Sequence, residues 1–253
     1  MRSLVGALGL DRDGLVSLVG GGGKTTLMYR LTKELRRRGV RAAAGTTTKI
    51  QPPEEGRLVT GDERALEAAL RAWPWKEPSF PVLGRRLLDH QKVDGVDPGW
   101  AGRTVRHGWV HALVLEADGA ARRPLKAPEA WEPVVPEATT LFVAVVGLSC
   151  LGRPLSEEWA FRLHRVCEVT GARPGETIDP DLLVRLLLAP DGLAKGRPAG
   201  ARAVAVLNQA DDPGTERAGR EVARAVMRAG GGYERVVLVR LRDPHRPVRG
   251  VWM

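Results

Sequence analysis

Four consecutive glycines, Gly20, Gly21, Gly22 and Gly23, run directly into Lys24, Thr25 and Thr26. These residue types in this order suit phosphate binding. Glycines let successive backbone N–H groups turn inward around phosphate oxygens, and a helix start adds positive potential. A lysine then reaches the β- and γ-phosphates, and a threonine hydroxyl ligates Mg²⁺. The strict pattern G-x-x-x-x-G-K-[ST] requires glycine at position 18, where this chain has Leu18, so the loop is a variant that reads G-x-x-G-K-T-T from Gly20.

Three further groups of residues carry candidate chemistry. Thr46, Thr47, Thr48 and Lys49 follow an apolar run; their hydroxyls would complete a Mg²⁺ shell or orient a nucleophile, and Lys49 would neutralise substrate charge. The plain alternative is a polar turn. Glu116 and Asp118 close the run Val110–Leu115, where a Mg-nucleotide site needs an acid as metal ligand, as partner of a metal-bound water, or as base. Period-two geometry puts both on one face if the strand continues through them. Asn208-Gln209-Ala210-Asp211 resembles the N-K-x-D element with which GTPases read guanine. Gln209 in the lysine position removes the stem that packs on the base, and an Asx-rich turn before Pro213 explains the segment equally well. His164 and Arg165 fall off the apolar stripe Trp159, Leu163, Val166, Cys167 of a helix expected over 156–170, so they are exposed or face a cleft.

The elements that must position these groups are legible as periodicities. Short β-branched runs at Leu15–Val19, Val40–Ala44, Val110–Leu115, Leu141–Val146, Ala203–Leu207 and Arg235–Val239 read as buried parallel strands. Leu27, Leu31 and Leu35 form a helix stripe that opens from the glycine run and ends in Lys33, Arg36, Arg37 and Arg38 before Gly39. Leu66, Ala69, Leu70 and Trp73 form another, and so do Ala218, Val222, Val226 and Ala229 after a cap expected at Thr215. Strands alternating with helices predict an α/β fold: a P-loop-containing, doubly wound, mostly parallel sheet flanked by helices. A single domain is expected over 1–253, with an irregular insertion or lid at 73–108, where proline, tryptophan and mixed charge replace periodicity.

Composition narrows the function classes. At 43% hydrophobic and 27% charged residues the chain is globular rather than disordered. The longest uncharged stretch, Ala138 to Gly152, is 15 residues, short of the ~20 a membrane helix needs. Asp11 and Asp13 interrupt any signal-peptide core, so a cytoplasmic protein with no membrane association is expected. The net charge of +9 comes mainly from arginine, lysine supplying seven of 39 basic residues, and it favours anionic partners. No basic block with interleaved aromatics marks a nucleic-acid face, and steep salt dependence would be the sign of one. Cys150 and Cys167 have no metal or redox spacing and are expected as packed thiols; His90, His107, His111 and His245 have no ligand spacing.

The short loop resembles that of Mur-ligase-type ATPases, although 253 residues leave no room for their separate acceptor domains. Glu116-Ala117-Asp118-Gly119, Arg123-Pro124-Leu125-Lys126-Ala127-Pro128 and Glu132-Pro133-Val134-Val135-Pro136, in this order after the loop and the threonines, are similar to the YqeC family of selenium-dependent hydroxylase accessory proteins. The resemblance implies a P-loop accessory protein acting in maturation of selenium-dependent molybdenum hydroxylases. It implies that Lys24 and Thr25 bind the phosphates of ATP or GTP and Mg²⁺, that Glu116 and Asp118 sit opposite them, and that Arg123, Lys126, His164 and Arg165 belong to a substrate site or lid. Trp131 and Gln209 depart from the family's expected histidine and lysine. The function expected is a Mg-dependent NTPase or nucleotidyl/phosphoryl transferase, its partner a small anionic acceptor or the molybdenum cofactor, together with an apo molybdenum hydroxylase. The alternatives are a nucleotide-gated cofactor carrier or chaperone with little turnover, and an ATP-dependent ligase or small-molecule kinase.

Overall fold

The computed structural model describes residues 3–10, 14–89 and 91–253; Asp11, Asp13 and His90 lie outside them. After a short helix α1 (Leu4–Ala7), strand β1 (Gly14–Gly20) is buried at every position and feeds the glycine loop into helix α2 (Lys24–Arg37), with Leu27, Leu31 and Leu35 buried as the stripe requires. Next come β2 (Ala42–Thr46), β3 (Lys49–Ile50), β4 (Arg57–Thr60), α3 (Glu63–Arg71), β5 (Pro81–Gly84), β6 (Arg86–Leu87), β7 (Val93–Asp94) and α4 (Pro98–Arg106). Then follow β8 (Ala112–Glu116), β9 (Leu125–Lys126), β10 (Leu141–Gly147), β11 (Ala160–Phe161), α5 (Leu163–Thr170), α6 (Pro180–Leu188), β12 (Arg202–Asn208), α7 (Pro213–Ala229), β13 (Arg235–Val239) and β14 (Val248–Trp252).

Nine strands form one sheet in the order β14-β13-β12-β10-β1-β8-β2-β5-β4. Every pair is parallel except β13 with β14. Alternation along the strands sends Val16 and Leu18 to one face, against α1 and α2, and Leu15 and Val19 to the other, against α3, α4 and the α5–α7 group. A parallel sheet covered on both faces has strands that are apolar throughout, which is why they read as continuous runs. No helix among the described residues is long and apolar enough to cross a membrane.

Several expectations are corrected. Segment 73–108 is no lid: Pro81–Gly84 pairs with β2 and β4 inside the main sheet, and α4 packs on β1 and β8. Only β6 and β7, with β3, form a separate small sheet. Strand β8 pairs with both β1 and β2 and so separates them, which sets Thr46–Thr48 one strand away from the glycine loop. The helix expected over 156–170 begins only at Leu163, since Ala160–Phe161 is drawn out as a strand against Leu125–Lys126. Helix α7 is capped by Asp212, with Thr215 closing a capping box rather than acting as the cap.

Candidate functional site

In a sheet of this kind ligands bind beyond the carboxyl ends of the strands. Along that edge the ends of β13, β12, β10, β1, β8 and β2 place, in spatial order, Leu241, Asn208, Gly147, the glycine loop, Glu116 and Thr46. A cavity of about 1050 Å³ opens there. It is lined by Gly22 to Thr26 and Glu116, and by Tyr29, Arg30, Lys33 and Arg37 from α2. Arg122, Arg123, Lys49, Lys92 and the 241–247 loop complete its walls. That volume exceeds a typical small-ligand pocket, roughly 300–1000 Å³, and admits a nucleotide with space beside it.

The loop's shape depends on absent side chains at two positions. Gly22 has φ +76, and a Cβ there would lie 2.3 Å from Gly147 N; Gly23 has φ +125 and would meet the Asn208 amide at 2.4 Å. Asn208 braces the turn, donating from Nδ2 to Gly22 O at 2.7 Å and accepting from Leu241 N at 3.0 Å. Both ends of its amide are thereby engaged with backbone. Asp211 faces Arg240, 3.4 Å away, and does not line the cavity. The base-reading expectation for Asn208 and Asp211 therefore gives way to the turn alternative. Gln209, at φ +68, is the member of that segment on the cavity wall.

Lys24 is buried, its Nζ donating to Gly20 O and lying 3.1 Å from Asp118 Oδ1. An ammonium has three protons, and its third is left for the cavity Lys24 lines. Thr25 and Thr26 are exposed at the start of α2 and also line it. Glu116 ends β8, is 5% exposed and lines the same space, and its Oε1 is buried without a hydrogen-bond partner. Burial pushes its carboxyl above the ordinary range; Lys24 and Thr25 pull it back, and Asp118 adds to the rise. Burial, then Glu116, Glu55 and Glu54, likewise push up the Tyr29 hydroxyl on the α2 wall.

Asp118 does not pair with Glu116 as expected. Strand β8 stops at Glu116, so the period-two register is lost, and Asp118 instead sits under the loop. It accepts from Gly20 N at 3.2 Å and 3.0 Å and touches Lys24 and Lys126, each at 3.1 Å. Its oxygens are taken by the loop and two cations, so it positions Lys24 rather than meeting a metal. Lys126 is not a substrate contact either. Its side chain is 0% exposed, 2.6 Å from Glu132, and it donates to Gly119 O at 2.6 Å. The chain continues through Glu132 and Arg162 to Glu129, whose Oε1 lies 3.2 Å from His164 Nε2. His164 and Arg165, the latter donating to Pro128 O at 3.2 Å, lie on this outer flank away from the cavity. Removing one member of a buried ion network leaves its partners uncompensated, at a cost of about 3 kcal/mol. Lys126→Met is expected to lower the melting temperature by roughly 6–12 °C on the scale for domains of this size, read by differential scanning calorimetry; an unchanged transition would show that the network contributes nothing.

The three threonines are braces as well. Thr46 donates to Glu116 O at 3.0 Å and accepts from Thr48 N, while Thr47 donates to Val134 O at 2.6 Å. None lines the cavity; Lys49, next in the chain, does. Their displacement follows from β8 lying between β1 and β2. Arg123 keeps a place on the wall, although its Nε donates to Glu157 O. Cys150 is buried against Gly147 O with its thiol pushed up to about 12 by burial, and burial raises that of Cys167. Neither is poised as a thiolate.

Tyr29, Arg30, Lys33, Arg37 and Arg122 escape a reading based on motifs alone. The first four recur at helical spacing on the side of α2 opposite Leu27, Leu31 and Leu35, a signal that a polar-face reading of that helix would have found. Arg30 also clamps the 241–244 turn, donating to Asp243 O at 2.7 Å and Pro244 O at 3.3 Å.

Thr25 and Glu116 suit Mg²⁺, which prefers one or two carboxylates or hydroxyls and completes its shell with water and phosphate oxygens. The orphaned Glu116 Oε1 is the observation that supports this fit. No group of three or more His, Cys, Asp or Glu able to hold a metal occurs among the described residues.

The family model described as YqeC protein matches residues 16–164. A relative from Escherichia coli (strain K12), Uncharacterized protein YqeC, is 31% identical over 219 residues, covering 83% of this chain and 84% of its own. Among solved structures, the crystal structure of a ParA family ATPase from Chlorobium tepidum TLS is similar with TM-score 0.47 and 11% identity, over 90% of this chain and 84% of that one.

Proposed function

The chain belongs to the YqeC family, and from that premise we propose a Mg²⁺-dependent, nucleotide-binding accessory protein that hydrolyses ATP or GTP or transfers part of it to an acceptor. The observation that carries this is Glu116, a buried carboxylate with one oxygen unpartnered, beside the loop lysine at the mouth of a cavity large enough for a nucleotide. The loop amides and Lys24 bind and orient the phosphates. Thr25 and Glu116 would hold Mg²⁺, which would supply neutralisation of the phosphate charge. Asp118 fixes Lys24, and the deprotonated Glu116 orients the attacking water or acceptor hydroxyl. Release of nucleoside diphosphate (attack at the γ-phosphate) or of pyrophosphate (attack at the α-phosphate) from ATP and GTP, assayed with and without EDTA, tests this. Turnover abolished by chelation is expected; equal turnover without metal would contradict it.

The role in maturation of selenium-dependent molybdenum hydroxylases belongs to the same proposal and rests on the resemblance carried by Glu116–Gly119, Arg123–Pro128 and Glu132–Pro136. Its test is the activity and selenium content of such a hydroxylase produced with and without this protein. A nucleotide-gated carrier is the second reading, favoured by the ion network that links Lys24 to the flank of Arg162, which lies over Trp131, a side chain 70% exposed. Turnover below about one per minute, with nucleotide-dependent binding of an apo hydroxylase, would favour the carrier over typical enzymes at ~1–1000 s⁻¹.

A further inference from the structure

The cavity has two sides, set by strand order. On the β10–β12–β13 side of the loop stand Gln209, Leu241 and the turn clamped by Arg30; on the β8–β2 side stand Glu116, Arg122, Lys49 and Lys92. The second side carries three cations that have no ion-pair partner among the described residues. Among the described residues, the side chains of Lys49, Lys92 and Arg122 make no ion pair and no hydrogen bond, whereas Lys33 pairs with Glu55 on the α2 wall. The carboxylate opposite Lys49 in the small sheet, Asp94, is taken up by Arg85 at 3.1 Å and Arg86 at 3.5 Å. Glu54 is the one acid on this side besides Glu116 and the paired Glu55.

The fold holds these cations in place. Lys49 opposes Asp94 and Ile50 opposes Val93 in an antiparallel ladder, and Lys92, the residue just before that ladder, lines the same cavity as Lys49. The small sheet is pressed onto the strand ends because Gly95 has no side chain; a Cβ there would lie 2.3 Å from the Thr47 backbone. Arg122 is set by two consecutive left-handed residues, Ala121 at φ +46 and Arg122 at φ +62. That backbone is costly for residues other than glycine and is anchored next door, where Gly22 N donates to Arg123 O at 3.0 Å.

We propose that Lys49, Lys92 and Arg122 form a second anion subsite, which holds a dianionic phosphate group on the acceptor while the glycine loop holds the nucleotide. The subsite rests on the nucleotide reading of the loop only for the identity of the first ligand. Glu116 ends β8, which lies between β1 with its loop and β2 with the Lys49 segment, and in this arrangement would meet the acceptor's reacting end.

The probe is inorganic phosphate, titrated calorimetrically into protein saturated with a non-hydrolysable ATP or GTP analogue and Mg²⁺. Wild type is expected to bind one further phosphate, and a Lys49→Ala/Lys92→Ala/Arg122→Ala variant to lose it at least tenfold with analogue affinity changed less than threefold. Absence of a second phosphate on wild type overturns the subsite; loss of analogue and phosphate together in a folded variant assigns these cations to the nucleotide and overturns it too. If wild type binds no analogue, the nucleotide reading has failed and phosphate is titrated alone. Binding that survives Lys24→Ala and is lost in the triple variant then sustains the subsite, and the reverse pattern rejects it. Circular dichroism and melting temperature, expected to match wild type because all three residues sit at the cavity surface, certify the variants.

Discussion

Lys24→Ala is expected to lower nucleotide affinity by roughly 30- to 4000-fold, the 2–5 kcal/mol lost when one partner of a buried charged contact is truncated. The size follows from the surroundings. Lys24 is 5% exposed, so its ammonium meets a phosphate in a medium of low dielectric. It is also pre-positioned, because Asp118 and Gly20 O fix the Nζ before any ligand arrives. The variant folds, since Asp118 keeps Gly20 N and Lys126 as partners. Binding of a fluorescent nucleotide analogue with Mg²⁺ measures the effect. Unchanged affinity in a folded variant would mean that phosphates do not bind at the loop.

Glu116→Gln is expected to separate chemistry from binding. The amide keeps the shape and loses the charge, so turnover falls by about 100- to 1000-fold, the scale of a removed acid–base group. Nucleotide affinity changes only several-fold. In wild type the carboxyl, raised by burial, must lose its proton to act, so turnover rises with pH along a limb above the ordinary ~4.3 of glutamate. That limb disappears in Glu116→Gln. The stability effect has the opposite sign. A carboxyl whose folded value is raised stabilises the fold below its unfolded value and loses that contribution as pH rises through the folded value. At neutral pH the ligand-free Gln variant therefore melts higher than wild type, the mark of a group kept for function at a cost in stability. Lower stability together with full turnover would identify Glu116 as a structural acid.

The central strands, the loop and helix α2 were legible because a parallel sheet buried on both faces writes continuous apolar runs, and the loop interrupts them with glycines. Strand β5 was hidden: four residues bounded by Pro81 and Gly84 carry no periodicity, and their burial comes from neighbours far along the chain. Neighbour order was hidden too. Nothing in Thr46–Thr48 announces that β8 intervenes before β1, and that insertion turns three expected ligands into braces. Glu116 was readable as a strand-end acid. Asp118 was misplaced because spacing implies a shared face only while the strand lasts. The network through Lys126, Glu132 and Arg162 joins segments far apart in sequence, so the charges were visible and their pairing was not.

The most direct test is calorimetric titration of the wild-type protein with non-hydrolysable ATP and GTP analogues, with and without Mg²⁺. One nucleotide per chain, bound more tightly with Mg²⁺ than without, is the expected result. No binding of either analogue at millimolar concentration would contradict it and assign the glycine loop to some other anion.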